Sequence, residues 1–281
     1  MLDTLPDLDL GARAAVAIEV ARRVGREASA FRDSMGSAAL QVENKGLQDF
    51  VTIADKRAEE TIRVAVRDHF PDDSVLGEEG GGARTGKVLW VVDPIDGTTN
   101  FIRGFRHWGV SIAIVADGEV QVGVVYDAAV DKVYSAIRGG GAFKDGRPIR
   151  ASAVTDPNRA IAILGHSRRT DFQTYQQIGQ TLYVLGVDYR RMGAAAIGLV
   201  RVADGIADLY YEGHLNGWDM LAGALIAHEA GALVYLPPLD VALNDGGPIV
   251  AHTASLKEHF AFLRQHAGPL CRPLARTAEG H

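Results

Sequence analysis

The segment 87–101, KVLWVVDPIDGTTNF, constrains the fold of this chain more than any other. Its apolar first half reads as a buried strand, and the strand ends in Asp93 and Asp96, three residues apart, before Gly-Thr-Thr. Carboxylates in the interior are costly unless positive charge meets them. Either the two acids are ordinary turn residues, or the fold delivers a cation to them. So apolar an approach favours the cation.

The rest of the chain supplies elements to surround that strand. Apolar residues recur at helical spacing over 10–31 (Ala14, Ala17, Ile18, Ala21, Val24). ALQVENKG and LQDFVTIA alternate around Lys45-Gly46 and predict a hairpin. Asp55 opens a predicted helix with Ala58, Ile62, Ala65 and Val66 on one face, stopped by Pro71. Residues 108–143 predict three antiparallel strands with a turn at Asp117-Gly118. There follow a strand in AIAILG, a helix over 171–182, the approach to a strand in YVLGVDY, a small-residue helix over 193–203 and a strand in IADLYYE. Asn216 caps a helix reaching Gly231 with Leu221, Leu225, Ile226 and Ala230 facing inward, and a strand and a helix close the chain. Strands and helices in groups, rather than in strict alternation, predict a layered α/β or α+β sandwich.

Composition narrows the function classes. The 281 residues are 47% hydrophobic and 23% charged, an ordinary globular balance. A formal charge of −6 argues against nucleic acid or an anionic membrane as the main partner. Arg168, Arg169, Arg190 and Arg191 form a basic group too short to change that expectation. The single cysteine, Cys271, excludes an intrachain disulfide and a multi-cysteine metal site. With no long apolar run and no basic-then-apolar start, a cytoplasmic location is expected.

Four acidic sites stand at element ends: Asp55, Glu78-Glu79, the Asp93/Asp96 pair and Asp219. Each has a plain reading. Asp55 could cap a helix, Asp219 could answer a helix dipole, and Glu78-Glu79 could sit in a solvated loop. Taken together, they offer hard oxygen ligands suited to Mg²⁺ or Mn²⁺, with no His/Cys spacing for zinc. In DPIDGTT, the proline lets Asp93, Asp96 and the Ile95 carbonyl converge. The Gly97 and Thr98 N–H groups would open a helix and offer a phosphate site beside the metal. Metal and phosphate sites side by side point to phosphoryl transfer to water.

These residues resemble the inositol monophosphatase family, within the lithium-sensitive, Mg²⁺-dependent phosphatase superfamily. GEE (77–79), WVVDPIDGTTNF (90–101) and GWDMLAGALIAHEAGA (217–232) match its signature segments in order and spacing. DFVTIAD (49–55), MGAAAI (192–197) and DLYYE (208–212) match weaker ones, so the resemblance covers nearly the whole chain. It implies a single αβαβα-sandwich domain over 1–281, usually a homodimer, hydrolysing a small phosphate monoester with two or three Mg²⁺ ions. It implies that Glu78, Asp93 and the Ile95 carbonyl hold one ion. Asp93, Asp96 and Asp219 would hold a second, with Glu78 sharing a third. Thr98, linked to Asp55, would activate the attacking water, while Gly97 and Thr98 take the phosphate. Glu212, Gly193, Ala195 and Asp219 would contact the substrate. Ala194 stands where members often carry a hydroxyl, and Lys45 is one residue out of step with a family lysine, so neither is given a role.

Within the superfamily, Thr99-Asn100-Phe101 and Glu212 favour an inositol phosphate over nucleotide 3′-phosphates or fructose bisphosphate. Histidinol phosphate is the nearest alternative, since its amine could pair with Glu212. From a different class, some bacterial relatives are RNA- or RNA-polymerase-associated regulators. His166 is read as a pocket or loop histidine, His228 as a dipole-satisfied or surface one, and Trp218 as core. The glycines of GEEGGGARTGK predict a mobile loop.

Overall fold

The structure, a computed structural model, describes residues 8–35, 42–46, 49–82, 84–269 and 271–275, without the side chains of 35–52. A long helix α1 (Leu10–Met35) precedes a hairpin, β1 (Val42–Gly46) and β2 (Asp49–Thr52), and then α2 (Ile53–His69). The first sheet has seven strands in chain order: β3 (Ser74–Gly77), β4 (Val88–Asp96), β5 (Gly109–Ala116), β6 (Glu119–Asp127), β7 (Lys132–Ile137), β8 (Ala142–Lys144) and β9 (Arg147–Ile149). Only β3 and β4 run parallel; a short helix, α3 (Thr98–Arg103), leads from β4 towards β5. At Asp117-Gly118 both residues have positive φ, 52° and 75°, the geometry of a type I′ hairpin.

The second half gives β10 (Ile161–Leu164), α4 (Phe172–Val184), β11 (Asp188–Arg190), α5 (Ala195–Ala203), β12 (Leu209–Leu215) and α6 (Gly217–Glu229). It ends with β13 (Leu233–Leu236), α7 (Leu239–Asn244), β14 (Gly247–His252), α8 (Leu263–His266) and β15 (Arg272–Pro273). Its strands form a six-stranded sheet in the order β11-β10-β12-β14-β13-β15. The layers are α1/α2, first sheet, α5/α6, second sheet, and α4/α8, which is the expected αβαβα sandwich.

Packing explains each layer. Ala14, Ala17, Val20, Ala21 and Val24 of α1 meet Trp90, Val92, Ile112, Ile114, Val122 and Val124 on the outer face of the first sheet. Small residues let the helix lie close: a Cβ at Gly25 would stand 2.1 Å from the Tyr126 ring. Arg13 anchors α1 through paired hydrogen bonds to Asp73 (2.7 and 2.8 Å), and Asp73 also accepts the Trp90 indole N–H at 2.9 Å. The middle helices lie between two sheets, so apolar surface on one face is not enough. All nine residues of α5 are buried, and in α6 burial extends beyond Leu221, Leu225 and Ile226 to Met220, Ala222, Gly223, Ala224 and Ala227.

Several boundaries differ from the sequence expectation. Helix α2 begins at Ile53, which puts Asp55 inside its first turn rather than at its start. The closing helix shrinks to the four residues of α8, preceded by a 3-10 turn at Ala254–Leu256. Strand β13 and helix α7 were not anticipated, because LVYL is too short to show a period and PPLDVALN carries two prolines. No described helix is long and apolar enough to cross a membrane.

Candidate active site

Strand β4 is buried over its whole length, so its last residues enter the interior between the first sheet and the middle helices. Pairing with β5 breaks register between Asp93 and Asp96, and the chain bends there. Asp93, 2% exposed, accepts the Ile95 N–H at 3.0 Å. Glu78 leaves the end of β3, which is parallel to β4, and its own N–H donates to the Val92 carbonyl (3.1 Å). Asp219 lies in the first turn of α6, where it accepts the Asn216 N–H at 2.7 Å. Oxygens of Glu78, Asp93 and Asp219 then stand within 4.8 Å of one another.

Carboxylates crowd together here, and burial adds to their repulsion. Burial first, and then Glu78, Asp96 and Asp219, push the Asp93 carboxyl well above its usual range. Burial and Asp96 push Asp219 up to about 7, against the Asn216 N–H and the more distant Arg169. Among the described residues, no lysine, arginine or histidine forms an ion pair with Asp93, Asp96 or Asp219. A compact set of hard oxygen donors of this kind fits a divalent cation such as Mg²⁺ or Mn²⁺.

Asp96 is placed differently. Its carboxylate accepts the Ala195 N–H (2.9 Å) and the Ile197 N–H (3.3 Å), so it caps α5. Burial raises it to about 7 even against those amides.

The turn after Asp96 is shaped by close approach. Gly97 has φ 85°, and a Cβ there would lie 2.9 Å from the Ala194 side chain. Thr98 begins α3, and its hydroxyl lies between Ile95 and Asp55, 3.1 Å from the carbonyl and 3.3 Å from the carboxylate. Gly193, with φ 74°, passes over this turn beside Asn100. The Asn100 amide donates to the carbonyls of His107 (2.6 Å) and Met192 (2.7 Å). The Gly97–Thr98 turn and the Gly193–Ala195 segment are thus tied together.

Glu212 faces the same space from β12. The buried Tyr210 hydroxyl donates to it at 2.6 Å, yet burial raises it to about 7. Gly165 packs so closely on its carboxylate that a Cβ would stand 2.0 Å from an oxygen. The loop from Gly165 carries Arg169, which donates to Asn216 Oδ1 (2.9 Å) and so fastens the rim to the N-terminus of α6. His166 packs against Phe172 and Tyr175, and burial, Arg191 and Arg168 lower its pKa.

The family model for the inositol monophosphatase family matches residues 9–268. The chain belongs to the inositol monophosphatase family. It is 36% identical over 223 residues to the Nus factor SuhB of Vibrio cholerae, covering 78% of this chain and 83% of that one. Its fold matches the extragenic suppressor protein suhB of Bartonella henselae with a TM-score of 0.81 and 31% identity, over 92% of this chain and 99% of that one. An inositol monophosphatase from Anabaena gives 0.77 and 30% identity, over 94% and 99%.

Some neighbours of the site escaped the sequence reading. Asn100 was weighed only as a family letter, yet it ties two segments. Glu59 and Arg63 hold the Glu78 loop, and their signal was an acid on the buried face of α2 with a base four residues on. Tyr210 supports Glu212 two residues away, the same-face spacing of a strand. His228 is buried (6% exposed), not at the surface. Trp218 packs against the central core while its carbonyl accepts the Ser111 hydroxyl at 2.7 Å. The side chain of Lys45 lies outside the described residues.

Proposed function

We propose that this chain is a Mg²⁺-dependent phosphatase acting on a small phosphate monoester of the inositol monophosphate type. The observation that carries the reading is the convergence of Glu78, Asp93 and Asp219 at the end of a buried strand, in a member of this family. Glu78, Asp93 and the Ile95 carbonyl would hold one ion, and Asp93, Asp96 and Asp219 a second. Bound there, the ions supply charge stabilisation and a more acidic water. The Thr98 hydroxyl would orient that water, with Asp55 taking the proton that a hydroxyl alone cannot hold. The N–H groups of Gly97 and Thr98 would meet the phosphate. Glu212, with Gly193 and Ala195 opposite, would accept hydroxyls of the alcohol. His166, whose pKa is lowered first by burial and then by Arg191 and Arg168, stands at this rim; the positive charge of the two arginines would disfavour the cationic histidinol phosphate.

The test is phosphate release from inositol 1-phosphate, histidinol phosphate, a nucleoside 3′-phosphate and fructose 1,6-bisphosphate, with Mg²⁺ and with EDTA. Mg²⁺-dependent release with inositol phosphate leading is expected. Equal release in EDTA would overturn the metal reading, and a lead for histidinol phosphate would overturn the substrate.

The relatives' name, Nus factor, supports a second reading as a transcription-associated binding protein. Complete absence of hydrolysis across the panel, together with binding of transcription components, would favour it.

A further inference from the structure

The group that fixes Glu78 in place is another carboxylate, one that lies outside the metal cluster. Glu59, 3% exposed, sits one helical turn after Asp55 on α2. It accepts the backbone N–H groups of Glu79 (2.8 Å) and Gly80 (2.9 Å), the two residues that follow Glu78. Arg63, a further turn on, donates to it through Nε (3.0 Å) and Nη2 (2.7 Å). The same guanidinium donates to the carbonyls of Val75 (3.1 Å) before the loop and Gly81 within it. Gly77 and Gly81 close the turn with reciprocal N–H···O bonds of 3.0 Å. No side chain fits in the gap: a Cβ at Gly77 would lie 2.2 Å from the Glu59 carboxylate, and one at Gly80 would lie 2.7 Å from it. These glycines permit close approach, and the turn over 77–81 is held by Glu59 and Arg63.

We propose that the Glu59–Arg63 pair is a positioning device that presets the metal affinity of the Glu78 site. The proposal rests on the metal reading of Glu78. Charge-assisted bonds to backbone N–H groups are strong and directional. An apolar pair of the same volume would stabilise the helix as well or better, but it could not accept the Glu79 and Gly80 amides. The geometry also joins two halves of the site. Asp55 and Glu59 are one turn apart on α2, so the helix that orients Thr98 through Asp55 also orients Glu78 through Glu59. The spacing between the metal ligand and the water-orienting hydroxyl is therefore set by one rigid element. Partners behind a metal ligand typically control affinity by roughly 10–100-fold.

The experiment is Mn²⁺ binding to the metal-stripped full chain, followed by electron paramagnetic resonance, with thermal melting in parallel. Glu59→Gln is expected to weaken binding by roughly 10–100-fold. Gly80→Ala presses on the clamp from the loop side and is expected to weaken it in the same direction, which keeps the test open if Glu59→Gln fails to fold. Arg22→Ala removes the Arg22–Asp145 pair (2.7 Å) far from the loop; it should lower the melting temperature and leave Mn²⁺ affinity unchanged. Wild-type affinity in Glu59→Gln or in Gly80→Ala overturns the proposal. Equal weakening by Arg22→Ala overturns it too, as general destabilisation. Wild-type protein that binds no Mn²⁺ instead removes the metal reading beneath it.

Discussion

Two of the acidic groups in the interior of this molecule are solved in opposite ways. At the far end of α5, Arg201 pairs with the fully buried Asp127 and donates to the Tyr134 hydroxyl at 2.9 Å. Tyr134 donates to Asp204 (2.7 Å), and Lys144 bonds the same oxygen at 3.0 Å. Two acids meet two bases, and every charge has its counter-charge within the chain. At the near end of the same helix, Asp93, Asp96 and Asp219 meet amides and neighbouring carboxylates, with no ion pair to these three among the described residues. The first group stabilises the join between α5 and the first sheet without any ligand. The three crowded aspartates of the second are costly to ionise where they stand, and a cation binding there would relieve that cost.

Breaking the self-sufficient group should produce the largest loss of stability. Arg201→Met leaves Asp127 buried without its cation, a situation that costs about 3–5 kcal/mol. Urea unfolding should show the drop, with the midpoint moving at an unchanged slope. A change below about 1 kcal/mol would mean that the network is redundant.

The same kind of substitution at the other end should act on chemistry. Asp93→Asn removes a charge from a crowd of like charges, so metal-free protein should melt at the same temperature or higher. Phosphate release should fall by about 10²–10³-fold, the scale of losing one electrostatic contact in a transition state. Turnover that survives the change would break the contrast between the two groups.

pH should separate them as well. Asp96, Asp219 and Glu212 are each raised to about 7, well above the carboxylate range of an unfolded chain. Between about pH 4 and 7 the folded protein holds more protons than the unfolded one, so stability in EDTA should fall as pH rises through that window. Mg²⁺ should oppose the fall, because binding favours the deprotonated, folded form. Melting curves from pH 4.5 to 8, with EDTA and with Mg²⁺, read both effects. A flat profile in EDTA would mean that these carboxyls are not strained by burial.

The difference between the two groups also governs what the sequence could reveal. The metal-type acids sit in local signatures, DPIDGTT and GWD, because a turn, a strand end and a helix start each need particular neighbours. A layered sandwich followed from the grouped strands and helices, and its αβαβα order from the family resemblance. Asp127, Lys144 and the Arg201/Asp204 end of α5 come from three separate elements, and nothing local distinguishes them from surface charges. Glu59 was hidden for the same reason. A buried acid on the Ala58/Ile62 face is a visible anomaly, but its partners, the Glu79 and Gly80 amides, come twenty residues later. Asp96 shows the opposite limit. Its motif announced a ligand, yet its contacts with the start of α5 appear only when the two halves of the chain are brought together.

The smallest effect lies between the two groups, at Glu212, an acid with one neutral donor. Burial raises its pKa to about 7, Tyr210 and the more distant Arg191 lower it, and Asp219 raises it. In Tyr210→Phe the donor is lost with little change in volume. The Glu212 carboxyl should then titrate at higher pH, and at neutral pH less of it is ionised to accept substrate hydroxyls. One pKa unit corresponds to about 1.4 kcal/mol, so KM near pH 7 should rise by no more than roughly tenfold and recover as pH increases. kcat at saturating substrate should change little, because the Tyr210 hydroxyl bonds Glu212 rather than Thr98 or the Glu78/Asp93/Asp219 cluster. Steady-state KM and kcat from pH 6 to 9 separate the two parameters. If KM rises equally at every pH, Tyr210 shapes the pocket without tuning Glu212, and the acid behaves as part of the fixed scaffold.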